Sequence, residues 1–370
     1  MYDQTDTGDI LYLILYGAGT MLSLMTCCYL LFRQSNAIAP DITSPIRLRR
    51  WTSAFFASIT LSHLWYMPEF YLTSAKDTLL CNLIGATLDF MTLVPLGIVV
   101  LLSMLQNRRR PLWPVCLMVA PLAVITLLCA ATCSIALLPI LYAYYLLLGI
   151  GILLYMVREV RQYSRWLRDN YADLEHKELW QSIVVLAVIL LFFGIYTLEP
   201  YYRAVKYIMQ LNIIILVCYL LWRVETLSDL SISVGNSEEE TDITENVDDN
   251  ELPLSIRNNI GLLLKEYCEE PQLYLQHDIS ATQLAKQIGT NRVYLSKHFA
   301  LQGITYNAYI NGLRIQHFIN LYKEAVTSHK PILAKQLAYQ SGFRSYSTFS
   351  AAFKQIMGMT ATEWMRSTAE

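Results

Sequence analysis

The stretch ISATQLAKQIGTNRVYLSKHFA (residues 279–300) predicts two short helices joined by a tight turn. Ser280 is followed three residues later by Gln283, which is the pattern of a capping box at a helix start. Gly289 supplies the turn, because glycine adopts a left-handed backbone conformation without steric cost. Asn291 can cap the second helix. This pattern predicts a helix-turn-helix, a motif whose second helix fits the major groove of DNA.

A second stretch of the same kind follows in ILAKQLAYQSGFRSYSTFSAAFKQIMG (residues 332–358). Gly342 takes the place of the turn, and Ser345 that of the cap. Between the two units, residues 305–325 have the apolar spacing of one long amphipathic helix. Two units joined in this way are expected to contact successive major grooves on one face of DNA.

The apolar, turn and cap residues of both units, with two residues of the helix between them, resemble a known family. They are Leu284, Ala285, Gly289, Leu295, Phe299, Arg314, Ile315, Leu337, Ala338, Gly342, Phe343, Ser345, Phe349, Phe353, Gly358, Met359 and Thr360. At this spacing, residues 254–364 resemble the DNA-binding domain of the AraC/XylS family of transcription regulators. The resemblance covers roughly the last third of the chain, and it implies binding to double-stranded DNA.

The resemblance also implies which residues contact DNA. They lie on the second helix of each unit, at its cap or just before it: Asn291, Arg292, Val293, Ser296 and Lys297 in the first unit, and Arg344, Ser345, Tyr346, Ser347 and Ser350 in the second. Arginine and lysine pair with guanine edges or with phosphates, and hydroxyl groups do either. Three departures from the family pattern predict weaker DNA binding by the second unit. Ala351 replaces a common Arg or Lys, Phe318 stands at a usually small position, and Ala361 replaces a common Pro.

The rest of the chain is too apolar for one ordinary soluble domain. Of the 370 residues 54% are hydrophobic and only 16% are charged. A membrane-spanning helix needs about 20 apolar residues, and seven segments meet or approach that length: 9–32, 51–72, 79–105, 112–133, 135–157, 179–198 and 204–222. The fourth and fifth are separated by little more than Ser134, so six spans is the main alternative. The apolar region stands where the family has a sugar-binding cupin domain, so no sugar ligand is implied.

Lysine and arginine predict the orientation of these spans, because basic loops stay in the cytoplasm. Basic residues collect in three alternate loops: Arg33, Arg47, Arg49 and Arg50, then Arg108, Arg109 and Arg110, then Arg158, Arg161, Arg165, Arg168 and Lys177. The intervening loops hold only Lys76, Arg203 and Lys206. We therefore predict a multi-pass protein of the bacterial inner membrane with its N-terminus outside and its C-terminus in the cytoplasm.

The charge pattern divides the chain into three parts: a transmembrane bundle (1–224), a linker (225–252) and a DNA-binding domain (253–370). Residues 225–251 hold ten acids and no base, which is typical of a disordered segment. Residues 252–370 hold twelve bases and seven acids. We interpret the linker as an inert spacer. The alternative is that it competes with DNA for the basic domain.

Ionisable and polar residues inside predicted spans are candidates for function, because they are costly in lipid. His63, Asp89 and Asn212 fall at similar depths in the second, third and seventh spans. We expect them to form either a sensing site or interhelical hydrogen bonds that hold the bundle together.

The sequence predicts an all-α protein with about seven transmembrane helices and a soluble double helix-turn-helix domain. Its predicted function is that of a membrane-tethered, DNA-binding transcription regulator coupled to a membrane or periplasmic signal. We find no phosphate loop, nucleophile elbow or metal-spaced cluster, and we expect no enzyme activity, catalytic residue, metal site or cofactor. Expected partners are double-stranded DNA, membrane lipids, RNA polymerase, an unidentified small-molecule or protein signal, and a second copy in a homodimer. The alternative is a membrane transporter or sensor whose helix-turn-helix domain binds another protein.

Overall fold

The computed structural model describes residues 7–33, 36–40, 42–108, 110–175, 177–181, 184, 203–230, 254–329 and 333–369. Within these residues every named element is a helix. The chain divides into two compact units. The N-terminal unit comprises residues 1–161 and 179–234, and the C-terminal unit comprises residues 162–178 and 235–370.

The N-terminal unit is built from long helices, and five helical segments of the described chain are long and apolar enough to cross a membrane. The helices are α1 (Thr7–Phe32), α2 (Ile46–Tyr66), α3 (Ala75–Met91), α4 (Leu93–Ser103), α5 (Trp113–Thr132), α6 (Leu138–Asn170) and α7 (Arg203–Thr226). The candidate spans are Ile10–Phe32, Ala75–Ser103, Trp113–Thr132, Leu138–Asn170 and Ala204–Thr226. The sequence predicts seven. The sixth predicted span, 179–198, lies almost wholly outside the described residues.

The second predicted span, 51–72, corresponds to a helix that is long enough but too polar to be a candidate. Helix α2 begins earlier, at Ile46, and ends at Tyr66, where a short 3-10 helix (Met67–Phe70) with Pro68 in its first turn follows. Helix α2 packs against α1, α3, α4 and α7. Ten of its residues are buried, and six of these are polar: Arg49, Thr52, Ser53, Ser58, Thr60 and His63. A helix in this position does not need an apolar surface.

Two other boundaries have clear local causes. The third predicted span, 79–105, is interrupted at Thr92, which has φ −124° and ψ −64°. Pro95 has no N–H to donate to the carbonyl four residues earlier, and its ring clashes with that carbonyl. The fourth and fifth predicted spans are separate helices, because Cys133 adopts a left-handed conformation that ends α5.

The first two residues of the predicted linker (225–252) belong to helix α7. Helix α7 continues to Thr226, and the side chain of Glu225 is fully buried against Arg49, with 2.6 Å between Oε1 and Nη1. The Tyr29 hydroxyl donates a second hydrogen bond to this carboxylate, at 2.9 Å. Of the linker predicted at 225–252, residues 231–252 lie outside the described residues.

The C-terminal unit contains two small cores that share one helix. Its helices are α8 (Leu254–Leu264), α9 (Ala281–Gln287), α10 (Arg292–Leu301), α11 (Tyr306–Thr327), α12 (Ala334–Gln340), α13 (Tyr346–Met357) and α14 (Ala361–Ala369). Tyr306 and Ile310 of α11 are buried in the first core, beside α9 and α10. Ile315 and Phe318 of the same helix are buried in the second core, beside α12 and α13. The predicted arrangement of two units joined by one helix is therefore confirmed.

Candidate nucleic-acid interface

The first helix-turn-helix has the predicted caps and turn. Ser280 Oγ accepts a hydrogen bond from the Gln283 backbone N–H at 3.3 Å, and Gln283 Oε1 accepts one from the Ser280 N–H at 2.9 Å. Gly289 has φ +72°. The Asn291 side chain accepts a hydrogen bond from the Tyr294 N–H at 3.0 Å, which caps α10. These features define the start of each helix and the turn between them.

The second unit repeats this construction, but its turn is more tightly packed. Ser345 Oγ caps α13 by accepting a hydrogen bond from the Thr348 N–H at 3.2 Å. Gly342 has φ +90°, and a Cβ at this position would lie 2.8 Å from Leu275 Cα. Glycine is favoured here for two reasons: the left-handed conformation is costly for residues with a Cβ, and the close approach of the Leu275 backbone leaves no room for one.

Arg314 in the middle of α11 ties the two units to the segment before α9. It is almost fully buried, and its Nε donates to the Tyr274 carbonyl at 2.7 Å. Its Nη2 donates to the Gln276 carbonyl, also at 2.7 Å. The guanidinium lies over the Phe343 ring, with 5.6 Å between Cζ and the ring centroid. Burial lowers the pKa of Arg314, but an arginine in a protein stays protonated. Arg314, one of the residues on which the family resemblance rests, thus has a structural role.

The side chains predicted to contact DNA differ in exposure. Lys297 and Ser347 are exposed, whereas the other predicted contacts are half-buried: Asn291, Arg292, Val293, Ser296, Arg344, Ser345, Tyr346 and Ser350. Asn291 and Ser345 are engaged as helix caps. Arg344 Nη1 lies 3.5 Å from Asp278 Oδ1. Contacts of these residues with DNA stay predictions.

Two of the three departures from the family pattern, Phe318 and Ala361, are buried, and the third, Ala351, is exposed. Phe318 is fully buried, and its ring centroid lies 4.5 Å from that of Phe349 and 5.7 Å from that of Phe353. A large residue is therefore accommodated by an aromatic cluster in the second core. Ala361 is buried at the start of α14. Ala351 is exposed on α13, where it offers no cation.

Sequence reasoning missed a second chain segment in the C-terminal unit, residues 162–178. Tyr171 forms an isolated antiparallel bridge with Ser280, the cap of α9. Asn307 Nδ2 donates to the Ala172 carbonyl at 2.6 Å, and Ala172 is fully buried in the first core. No local sequence signal marks these contacts, because they join residues more than one hundred positions apart.

A buried charge accompanies this segment. Lys177 Nζ donates to the Asp173 carbonyl at 2.9 Å and lies 3.8 Å from Asp278 Oδ1. Burial lowers the pKa of Lys177, and the negative charges of Asp173 and Asp278 partly oppose that shift. Asp173 is buried too. The segment therefore carries two charged groups that are largely removed from water.

His63 and Asp89, two of the residues of the predicted intramembrane site, each have a hydrogen-bond partner on another helix. His63 Nε2 lies 3.2 Å from Gln210 Oε1, and its Nδ1 lies 2.9 Å from the Ile59 carbonyl oxygen. Asp89 Oδ2 accepts a hydrogen bond from Ser62 at 3.2 Å. The structure thus gives His63 and Asp89 different partners. A sensing role for His63, Asp89 and Asn212 stays a prediction.

Comparison with known proteins supports the assignment of the C-terminal unit. Residues 284–367 match the family described as a helix-turn-helix domain, which is of the AraC type. Over 79 residues the chain is 37% identical to the TCP pilus virulence regulatory protein of Vibrio cholerae serotype O1, a match that covers 21% of this chain and 27% of that protein. An uncharacterized HTH-type transcriptional regulator of Staphylococcus aureus is 25% identical over 118 residues, 30% of this chain and 15% of that protein. The chain thus spans only about a quarter or less of these curated relatives. No solved structure matches it significantly.

Proposed function

We propose that this protein is a membrane-tethered, sequence-specific DNA-binding transcription regulator. The observation that carries the proposal is the pair of capped helix-turn-helix units in one domain, each with cationic or hydroxyl side chains on or beside its second helix. Lys297 and Ser347 face solvent. Such side chains contact phosphates and base edges when a helix of this kind lies in a major groove.

The comparisons support the same function. The residues that match regulators in Vibrio cholerae and Staphylococcus aureus are those of the helix-turn-helix domain. An excess of five bases over acids in residues 252–370 favours an anionic partner. RNA polymerase and a second copy of the chain are further proposed partners, because transcription activation requires the first and repeated DNA sites favour the second.

Tethering is supported by the five helices that are long and apolar enough to span a membrane. Residues 162–178 follow the apolar part of α6 and pack within the C-terminal unit. This packing favours a location of that loop and that unit on the same side of the membrane. The loop is basic, and basic loops stay in the cytoplasm. The inner membrane of a bacterium, with the DNA-binding domain in the cytoplasm, is therefore the proposed location.

Crosslinking and genome-wide sequencing of DNA bound to the intact, tagged protein would test the proposal. We expect sharp peaks with the wild type and their loss with Arg292→Ala/Lys297→Ala. The matched control is Lys265→Ala/Lys323→Ala, which removes two exposed cations of the same domain outside the second helices. All proteins should resist carbonate extraction from membranes. Equal enrichment with both double variants, or extraction of the wild type by carbonate, would contradict the proposal.

A further inference from the structure

Residues 162–178 place a carboxylate at the start of α13, and a second carboxylate of the segment interacts electrostatically with the start of α10. Glu175 Oε2 accepts a hydrogen bond from Thr348 Oγ1 at 3.0 Å, and Thr348 lies in the first turn of α13. Asp169 interacts electrostatically with Arg292, the first residue of α10. One short segment therefore brings negative charge to each of the two helices that are proposed to contact DNA.

These carboxylates interact with the same groups that a DNA phosphate would contact. The N-terminal turn of a helix attracts anions, because its backbone N–H groups have no helical partner and the helix dipole is positive there. Arginine and threonine are common phosphate-binding side chains. A carboxylate that interacts with Arg292 or Thr348 therefore competes with a phosphate for the same groups.

Polar and apolar contacts hold the segment, and two buried charges oppose them. The polar contacts are the bridge from Tyr171 to Ser280 and the hydrogen bonds from Asn307 to the Ala172 and Tyr171 carbonyls, and Ala172 is also buried in the first core. Docking also buries the Lys177 ammonium and the Asp173 carboxylate. Removing two charged groups from water opposes docking. The docked state is accordingly less stable than an apolar core of the same extent would be.

We propose that residues 162–178 are an internal anionic ligand of the DNA-binding face, which duplex DNA displaces. The inference rests on the proposed function, because it concerns the surface that is proposed to bind DNA. Docked and released states are in equilibrium, and DNA binds the released state. Because the segment continues α6 without a break in the helix as far as Asn170, the same equilibrium connects an apolar helix to DNA affinity.

The first test measures the affinity of the full-length protein, in lipid nanodiscs, for a fluorescent duplex of random sequence at low salt. Asp169→Asn/Glu175→Gln removes both carboxylates with little change in side-chain volume. Glu266→Gln/Glu270→Gln is the matched control, because it removes two exposed carboxylates of the same domain. We expect the first variant to bind about tenfold more tightly than the wild type, and the control to change affinity by less than about threefold.

The outcomes separate this inference from the proposed function. Equal affinity gains in both variants would overturn the inference, because the effect would then be one of net charge. If neither the wild type nor Asp169→Asn/Glu175→Gln binds the duplex more tightly than Arg292→Ala/Lys297→Ala, DNA binding itself fails, and the proposed function is overturned with it.

A covalent lock gives an independent measurement. Antiparallel bridge partners have Cα atoms within the range that a disulfide spans, so Tyr171→Cys/Ser280→Cys should crosslink the docked segment when oxidised. We expect the oxidised protein, with the crosslink verified by mass spectrometry, to bind the duplex at least about tenfold more weakly than the same protein after reduction. Equal affinity of the two forms would contradict displacement.

Discussion

The turn glycine of the second unit allows a quantitative test of the helix-turn-helix geometry. Gly342→Ala places a Cβ 2.8 Å from Leu275 Cα and 3.0 Å from Leu275 O, at a backbone φ of +90°. The left-handed conformation costs an L-residue roughly 1–2 kcal/mol. Overpacking against atoms that cannot rotate away costs about 1–3 kcal/mol more. We therefore expect the second unit to lose about 2–5 kcal/mol of its free energy of unfolding.

Two other glycines separate these contributions. Gly289 has φ +72°, but a Cβ there would meet no atom within 4 Å, so Gly289→Ala carries only the conformational cost of about 1–2 kcal/mol. Gly312 lies inside α11 with nothing within 4 Å. Gly312→Ala should stabilise the domain by about 0.5–1 kcal/mol, because alanine is the better helix former.

Native-state hydrogen exchange of the full-length protein in nanodiscs measures these differences as local opening free energies. Peptides from α12, α13 and residues 273–275 should all lose protection in Gly342→Ala, because the added Cβ pushes apart segments that are distant in sequence. If Gly342→Ala lowers the local opening free energy no more than Gly289→Ala does, the close approach of Leu275 adds no cost. That result would refute this account of the turn.

Three further outcomes are expected. Arg314→Met leaves buried carbonyls without a donor and should lower the free energy of unfolding by roughly 2–4 kcal/mol in chemical denaturation. Arg314→Lys should recover less than half of this loss, and full recovery would show that the two hydrogen bonds donated by separate guanidinium nitrogens are not needed. Arg49→Met leaves the Glu225 carboxylate buried without its counter-charge, which should lower the free energy of unfolding by about 3–5 kcal/mol. The melting temperature should fall in Arg49→Met and recover in Arg49→Met/Glu225→Leu, and an unchanged melting temperature in Arg49→Met would contradict this. Burial lowers the pKa of His298 and His317, so the unfolded chain binds protons that the folded domain does not. Stability should therefore be constant above about pH 6.5 and fall below it, less steeply in His298→Gln/His317→Gln; equal slopes would exclude these histidines.

The helix-turn-helix units could be predicted because their signals are local. Each cap and its partner lie three residues apart, as in Ser280 with Gln283 and Ser345 with Thr348. The turn glycines follow directly from the need for a positive φ. The close approach of Leu275 to Gly342 has no such signal, because the two residues come together only through packing.

The intramembrane residues show what depth alone cannot predict. His63 and Asp89 lie at similar depths in their predicted spans, but depth fixes a position along the membrane normal and leaves the rotation of each helix about its axis open. The structure turns His63 towards Gln210 of α7 and Asp89 towards Ser62 of α2.

The predicted topology of residues 162–178 depends on their bases alone, whereas their acids carry a separate signal. The segment holds Arg165, Arg168 and Lys177, and also Asp169, Asp173, Glu175 and Glu178. Membrane topology depends on lysine and arginine, and acidic residues contribute little to it. The acids can therefore change without reversing the membrane topology. Two of them act on the second helices, because Asp169 interacts electrostatically with Arg292 and Glu175 accepts a hydrogen bond from Thr348. Neutralising Asp169 and Glu175 should leave the loop in the cytoplasm and release it from the DNA-binding face, so one segment can orient the membrane helices with its cations and control the domain with its anions.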